Sequence, residues 1–438
     1  MKSLSRHDAE AFGRDQRKHL GRSQLGEFKP GARRFDPVQV IAESCRGRLP
    51  QLLPIKYKLM AGSMFAFFRG SVEIMAGDLA ASRNTGIDTQ LGGDAHIKNF
   101  GFYATPDAQV IFDVNDFDET YPGPWEWDVK RVIASIALAG REAGERGALS
   151  KITIQRFLSA YFGWIRRFAG MTTMDVARHR VKRSLNRQAL RDALKKAERS
   201  NARENLAKLA LKNKAGWKFR SIPSQLWPVQ GAEKKAVLAA LATYRDTLAP
   251  DRQMIFDRFH PVDVGFKVVG TGSVGTRDYV VLLLGRDDND PLFLQIKEEP
   301  PSIYATYLKR LHPAHNGQRV TEGQRALQVQ SDLLLGWCSI AGRDYLVRQL
   351  NDHKSSLDIE QLKGPRLLEY SLLCAELLAK GHARSGDPVA LAAYIGSGQK
   401  AANSLLKFAF DYARQVEADY ETFRKALRNG KLRGGKIG

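Results

Sequence analysis

The sequence predicts an α+β protein of two lobes, one large and mainly helical, the other small and built on an antiparallel sheet. Three observations carry this expectation. Apolar residues recur at helical spacing in 51–260 and again in 351–429, so both stretches present faces that must be buried. Between them, 261–350 holds short β-rich runs separated by Gly, Asp and Asn turns. The 438 residues are 43 % hydrophobic and 26 % charged, an ordinary globular balance that argues against disorder over most of the length.

Residues 1–50 are basic and turn-rich, with Lys29-Pro30-Gly31-Ala32-Arg33-Arg34 at their centre, and read as an arm across the surface without chemistry of its own. Phe65-Ala66-Phe67-Phe68 then leads through Arg69-Gly70 into a helix over 71–81, whose Val72, Met75, Ala76 and Leu79 form a buried face. Arg69 reads as a structural arginine at that helix start, with reach to a phosphate as the alternative. The stretch 90–131 follows, and the rest of the chain is organised around it. Gly101-Phe102-Tyr103-Ala104 and Gln109-Val110-Ile111-Phe112 have strand composition, and Thr105-Pro106-Asp107-Ala108 supplies the turn. That hairpin brings two clusters to one end, Gly93-Asp94-Ala95-His96-Ile97-Lys98-Asn99 and Asn115-Asp116-Phe117-Asp118-Glu119.

After the hairpin the pattern predicts a helix over 129–146, with Asp128 placed to cap its free N–H groups, and another over 150–169 burying Ile154, Phe157, Leu158 and Phe162. The stretch 178–220 carries Lys or Arg every few residues and reads as basic helix with solvated faces, a grip on a phosphate backbone being the alternative. Pro223 and Pro228 mark a boundary before a helix at 231–247.

Gly270-Thr271-Gly272-Ser273-Val274-Gly275 has the spacing G-x-G-x-x-G, which two unrelated folds use. A dinucleotide-binding turn opens into a helix, yet here 279–284 and 292–296 are β-rich runs on either side of the turn Asp287-Asp288-Asn289-Asp290. Strand, glycine loop, strand, turn, strand begins the small lobe of a kinase, and Lys297 ends the last strand, where a kinase keeps the lysine that meets nucleotide phosphates. Gly270, Gly272, Ser273, Gly275 and Lys297 are therefore the candidate nucleotide-binding residues. Glu322, on a helix expected over 320–335, is the best candidate to hold Lys297, with Glu298 and Glu299 as alternatives. A strand at 345–350, a hinge-like connection over 351–356, a helix at 365–384, a last helix at 398–428 and a disordered tail at 430–438 complete the chain; His382, Arg384 and Asp387 close the helix at 365–384 without an assigned role.

The acidic end of the hairpin suits phosphoryl transfer. Mg²⁺ takes hard oxygen ligands, and a separate carboxylate must orient the attacking hydroxyl. Kinases place four residues between that catalytic Asp and a metal-binding Asn, as Asp94 and Asn99 are placed here, and Asp116 falls where the second metal ligand follows. Gly93-Asp94-x-His96-x-x-Asn99 followed by Asn115-Asp116-Phe117-Asp118 resembles the signature of aminoglycoside phosphotransferases and choline kinases, which also carry an Asp before an Ala-rich helix, as Asp128 stands here. The resemblance implies Asp94 as catalytic base, Asn99 and Asp116 as metal ligands, and His96 and Asp128 as supports of the loop. ATP and Mg²⁺ would be the cofactors and a small-molecule hydroxyl the acceptor. A His that related phosphotransferases carry ahead of this pair is missing, and His382 or Arg384 is the candidate replacement. The glycine loop and Lys297 follow the acidic clusters, whereas kinases place them before, so the expected fold is protein kinase-like and circularly permuted, which surface break points permit.

From about 49 to 420 the chain also resembles the bacterial family named domain of unknown function 2252. The motifs are Leu53-Pro54-Ile55-Lys56-Tyr57, Phe67-Phe68-Arg69-Gly70, Gly93-Asp94-Ala95-His96, Asn115-Asp116-Phe117-Asp118-Glu119 and Gly342-Arg343-Asp344-Tyr345. That name brings no activity with it.

The net charge of +21 and pI near 9.9 favour a polyanionic partner: phosphorylated ligands, nucleic acid through 178–220, or an anionic surface. A catalytically inactive nucleotide-sensing or nucleic-acid-binding protein, and nucleotidyl transfer, are the other functions this composition and motif set admit. Cys45, Cys338 and Cys374 are far apart and lack C-x-x-C spacing, so buried thiols are expected in place of a disulfide or zinc site. No stretch approaches a membrane span and 1–20 has no apolar signal core, so a cytoplasmic setting is expected.

Overall fold

The computed structural model describes residues 4–30, 33–107, 109–145, 147–181, 194–195, 202–214, 216–268, 270, 272–308, 313–350, 355–356 and 362–432. Most of the middle of the basic stretch, Val269 and Thr271 of the glycine loop, 351–354 of the expected hinge and 433–438 of the tail lie outside those residues. The fold is α+β, with a helical body and one larger antiparallel sheet beside several small ones.

The body is closed by the helices Glu126–Glu142, Gly147–Ala169, Pro365–Ser385 and Gln399–Arg428. Each has an apolar stripe at helical spacing. Ile154, Phe157, Leu158 and Phe162 are buried, as expected, against Val132, Ile136, Leu373, Leu377, Phe408 and Tyr412 from the other three. Each fully buried side chain of this kind contributes about 1.5–3 kcal/mol. Helices Met64–Gly70 and Val72–Ala80 pack below, broken at Ser71, so Arg69 ends one helix and does not start the next. The amino-terminal stretch, expected to be turn-rich, forms the helices Arg6–His19 and Pro37–Ser44; Arg6 donates to the Ala169 carbonyl at 3.0 Å, and Arg33 bonds Asp78 and Asp419 at 2.8 and 2.6 Å.

The hairpin forms from β2 (Phe100–Ala104) and β3 (Val110–Val114), with Ser355–Ser356 added along β2. Asp88–Leu91 (β1) pairs with Tyr121–Pro124 (β4) and brackets it in sequence. The larger sheet contains β7 (Leu226–Pro228), β8 (His260–Lys267), β9 (Asp278–Leu284), β10 (Pro291–Glu298), β11 (Gly336–Ile340) and β12 (Arg343–Gln349), in the order β11-β12-β10-β9-β8-β7. Its side chains alternate between two cores. Val281, Leu283, Leu294 and Ile296 meet Val237, Leu241 and Tyr244 of the helix Gly231–Asp246, while Val280, Leu282 and Phe293 meet Leu206, Ala210 and Phe219.

Those partners move several expected boundaries. β7 belongs to the sheet, and the helices Ala202–Leu209 and Gly231–Asp246 pack on it, so a division at 261 falls inside one unit. Pro228 ends an edge strand, where a missing N–H is tolerated, and the helix Gly231–Asp246 follows it, so the boundary expected before a helix is present. The basic stretch is not helical throughout: the helix Ala202–Leu209 gives way to a ribbon of β5 (Ala210–Asn213) and β6 (Gly216–Phe219). The helix expected over 320–335 runs Asn316–Leu327, and β11 turns into β12 through Ala341 and Gly342, both at positive φ (50° and 74°), which matches the strand twist in a tight hairpin. Cys45, Cys338 and Cys374 are buried free thiols. Among the described residues no helix is long and apolar enough to cross a membrane.

Candidate active site

The first wall of the site is the open end of the β2–β3 hairpin. Phe100 pairs with Val114, and the Asn115 N–H donates to the Asn99 carbonyl at 3.1 Å, which draws the two acidic clusters together. The loop ahead of β2 is fixed from the helical body. Asp128 accepts from the Gly92 and Gly93 N–H groups at 2.7 and 3.0 Å. Its expected role as a cap of its own helix is corrected: the carboxylate reaches across to the loop, and no side chain caps that helix. His382 stands behind it, Nε2 3.3 Å from Asp128 and Nδ1 2.7 Å from the Tyr161 hydroxyl, so His382 supports the loop through Asp128. Arg384 instead donates to the carbonyls of Ala326 and Gln328, and Asp387 caps the helix Pro388–Ile395. Gly93 sits at φ 85°, and a side chain there would collide with the Glu119 backbone.

Asp94 is held by Arg131, whose Nε donates to Oδ1 at 2.6 Å. Arg131 is itself fully buried, donates to the Phe68 carbonyl at 2.8 Å and lies 4.0 Å over the Phe68 ring. Burial raises the Asp94 pKa above the usual carboxylate range, with Arg131 pulling the other way. His96 Nε2 lies 3.5 Å from Asp94 Oδ2; burial, reinforced by Arg69 and Arg131, pushes its pKa well down, so the imidazole is neutral. Asn99 donates Nδ2 to the Asp94 carbonyl at 2.8 Å, which leaves its amide oxygen as the end available to a cation.

The second wall is the glycine loop and β10. Gly270 and Gly275 adopt positive φ of 55° and 97°, a conformation glycine takes without strain. The loop is anchored by its carbonyls: Arg48 donates to Gly272 and Val274 at 2.9 and 2.8 Å, and Lys56 to Gly272 and Gly70 at 3.3 Å each. Lys297 forms an ion pair with Asp118 of the hairpin, and Ser273 Oγ donates to the same carboxylate oxygen at 3.0 Å. Burial opposes the Lys297 charge, but Asp118, Glu299 and Asp116 outweigh it and hold its pKa above the usual lysine range.

Glu322 does not hold Lys297. It is exposed and bonded to Gln318 at 2.8 Å, because the helix Asn316–Leu327 turns Arg319 inward and Glu322 outward. Glu299 takes the nearer place, 3.9 Å from Lys297 on the same strand face, while Glu298 points to Arg277 and Arg343. Both Glu299 oxygens are buried without a hydrogen-bond partner, and burial pushes that carboxyl well above its usual pKa.

The two walls enclose one cleft of about 200 Å³ whose lining includes Asp94, His96, Asn99, Asp116, Asp118, Gly270, Gly272, Ser273 and Lys297. Gly275 shapes the loop behind it. Asp94, Asn99, Asp116 and Asp118 offer hard oxygens of the kind Mg²⁺ accepts. Among the described residues no group of three or more His, Cys, Asp or Glu could hold a metal ion; a cation here would draw further oxygens from water or a bound phosphate, as Mg²⁺ commonly does.

Arg131 and Asp118 carry no site role in the sequence reading, and Arg69 has one only as the alternative of reaching a phosphate. A charge set among Val129, Val132 and Ile133 on an apolar helix face was a signal that Arg131 has a buried partner. Asp118 has no local cue to its role, because its partner Lys297 lies far along the chain.

No curated protein and no solved structure matches the chain. Residues 48–426, well over half of the length, match the family described as "Uncharacterized protein conserved in bacteria (DUF2252)", and the chain belongs to that family.

Proposed function

We propose that the protein is an ATP- and Mg²⁺-dependent phosphotransferase with a circularly permuted kinase-like architecture, acting on a hydroxyl of a small molecule. One observation carries this reading: Asp94, Asn99 and Asp116 from the hairpin line the same cleft as Gly270, Gly272, Ser273 and Lys297 from the sheet. The succession of β8, glycine loop, β9, turn, β10, helix and the β11–β12 hairpin supports it. The cytoplasm, where ATP and Mg²⁺ are available, is the setting that goes with it.

In this reading Lys297 meets the nucleotide phosphates, and the glycine loop, fixed by Arg48 and Lys56, covers them. Asn99 and Asp116 would hold the Mg²⁺, which when bound would neutralise phosphate charge. Arg131 occupies Asp94 Oδ1 and so leaves Oδ2, on the His96 side, to orient the acceptor hydroxyl and take its proton. Neutral His96 keeps that oxygen free of a competing ion pair. Asp118 releases Lys297 when phosphates arrive.

Calorimetric titration of ATP with and without Mg²⁺, on wild type and Asp116→Ala, tests the site: Mg²⁺-dependent binding is expected in wild type and lost in the variant. Product analysis with γ-labelled and α-labelled ATP then tests the reaction, since phosphoryl transfer moves only the γ label and nucleotidyl transfer the α label. Binding that ignores both Mg²⁺ and Asp116 would sink the proposal and favour a nucleotide-sensing or nucleic-acid-binding role, for which a salt-dependent affinity residing in 178–220 is the signature.

A further inference from the structure

The cations of the cleft differ in what occupies them. Lys297 pairs with Asp118, and Arg48 and Lys56 bond to loop carbonyls; Arg131, behind the cleft, is taken by Asp94. Arg69 also lines the cleft, yet its Nε is buried with no hydrogen-bond partner among the described residues. Its position is set on both sides. It lies at the end of the helix Met64–Gly70, and Lys56 joins the next carbonyl, Gly70, to Gly272 of the glycine loop. A Cβ added at Gly272 would lie 3.8 Å from the Arg69 carbonyl oxygen, so the helix end and the loop are in close approach. On the other side the guanidinium feels the charges of Asp94 and Asp116. Arg69 therefore stands where the glycine loop, the acceptor-orienting carboxylate and the metal-binding carboxylate meet.

We propose that Arg69 is a catalytic arginine, supplied within the chain, that meets the negative charge on the phosphoryl group during transfer. This rests on the phosphotransferase reading. In that reaction the bond from the γ-phosphorus to the bridging oxygen breaks as the bond to the acceptor oxygen forms. ADP leaves with the electron pair, and the acceptor proton passes to Asp94. Midway, charge is spread over three equatorial oxygens, and a planar guanidinium with several fixed donors matches them better than an ammonium does. Arg131 is placed otherwise: it is fully buried, and each of its three nitrogens is already engaged, with Asp94, the Met75 sulfur and the Phe68 carbonyl. Lys297 approaches from the sheet side and Arg69 from the helical side.

The test uses ADP, Mg²⁺ and fluoroaluminate, which imitates the transferring group, with binding read by calorimetry. Fluoroaluminate is expected to tighten ADP binding to wild type. In Arg69→Ala that tightening falls on the order of 10³-fold, the scale of a catalytic arginine, while affinity for ADP with Mg²⁺ alone is kept, which also reports a folded cleft. Arg69→Lys recovers part of the tightening, and free guanidinium ion restores part of it to Arg69→Ala without affecting wild type. Undiminished tightening in Arg69→Ala, or an equal loss of ADP binding with and without fluoroaluminate, would overturn the assignment of Arg69 alone. Failure of wild type to bind ADP with Mg²⁺ would overturn the nucleotide reading and this inference with it.

Discussion

Two aspartate–lysine pairs start from the same hairpin and end in different surroundings. Asp113 on β3 pairs with Lys380 inside the helical body, where they are 2 % and 1 % exposed. Asp118, just past β3, pairs with Lys297 across the cleft and keeps 27 % of its side chain exposed. The electrostatics differ accordingly. For Lys380 burial outweighs Asp113 and lowers the pKa; for Lys297 burial is outweighed by Asp118, Glu299 and Asp116, and the pKa rises. The first pair pins the hairpin to the helix Pro365–Ser385. The second keeps a lysine firmly charged at an opening, which is what a phosphate-binding cation requires.

The contrast can be broken most sharply by removing one partner from each pair. Lys380→Met is expected to cost about 3–5 kcal/mol, because Asp113 is left buried without its partner. Adding Asp113→Leu should return most of that. Lys297→Met is expected to cost less than Lys380→Met, because Asp118 keeps 27 % of its side chain exposed and can regain water. Denaturant unfolding of the four proteins checks this, and equal costs at the two lysines would erase the distinction.

Asp278 gives a finer test: it sits opposite Lys297 in the β9–β10 register, yet burial wins there, whereas at Asp118 Lys297 outweighs burial and lowers the pKa. Burial raises its pKa to about 7, with Lys297 and the Gln295 hydrogen bond at 2.6 Å only partly compensating. Its folded pKa lies above the unfolded value, so the stability it contributes is complete below about pH 4 and is lost as pH rises through about 7. Relative to Asp278→Asn, wild type should lose about 1.4 kcal/mol per pH unit across that window and nothing further above it. A flat difference would mean that Lys297 holds Asp278 ionised as well.

Local chemistry was legible in residue type and spacing; long-range partnership was not, and only the motif resemblance placed Asp128 and His382 at the loop. The Asp94–Asn99 spacing, the turn at Thr105-Pro106 and the β-rich runs around Gly270–Gly275 depend on near neighbours, and the hairpin and the sheet form where those cues lie. Asp128 shows the limit. An Asp at a helix start seeks free N–H groups, but residue type does not say whose, and here they belong to Gly92 and Gly93. Glu322 failed similarly: helical spacing does not reveal which face of Asn316–Leu327 turns inward, and Arg319, bonded to the Thr120 and Pro300 carbonyls, took that face. The sheet boundary was misplaced because 202–228 finds its core only by packing on strands that follow it in the chain.

The central claim is that hairpin and sheet form one nucleotide site, and a mutant cycle on ATP affinity in the presence of Mg²⁺ addresses it most directly. Calorimetry on wild type, Asp116→Ala, Lys297→Ala and the double variant should give a large loss for each single change and little further loss for the double, because both groups act on the same bound phosphates. Wild-type affinity in Lys297→Ala, or losses that simply add, would contradict a shared site.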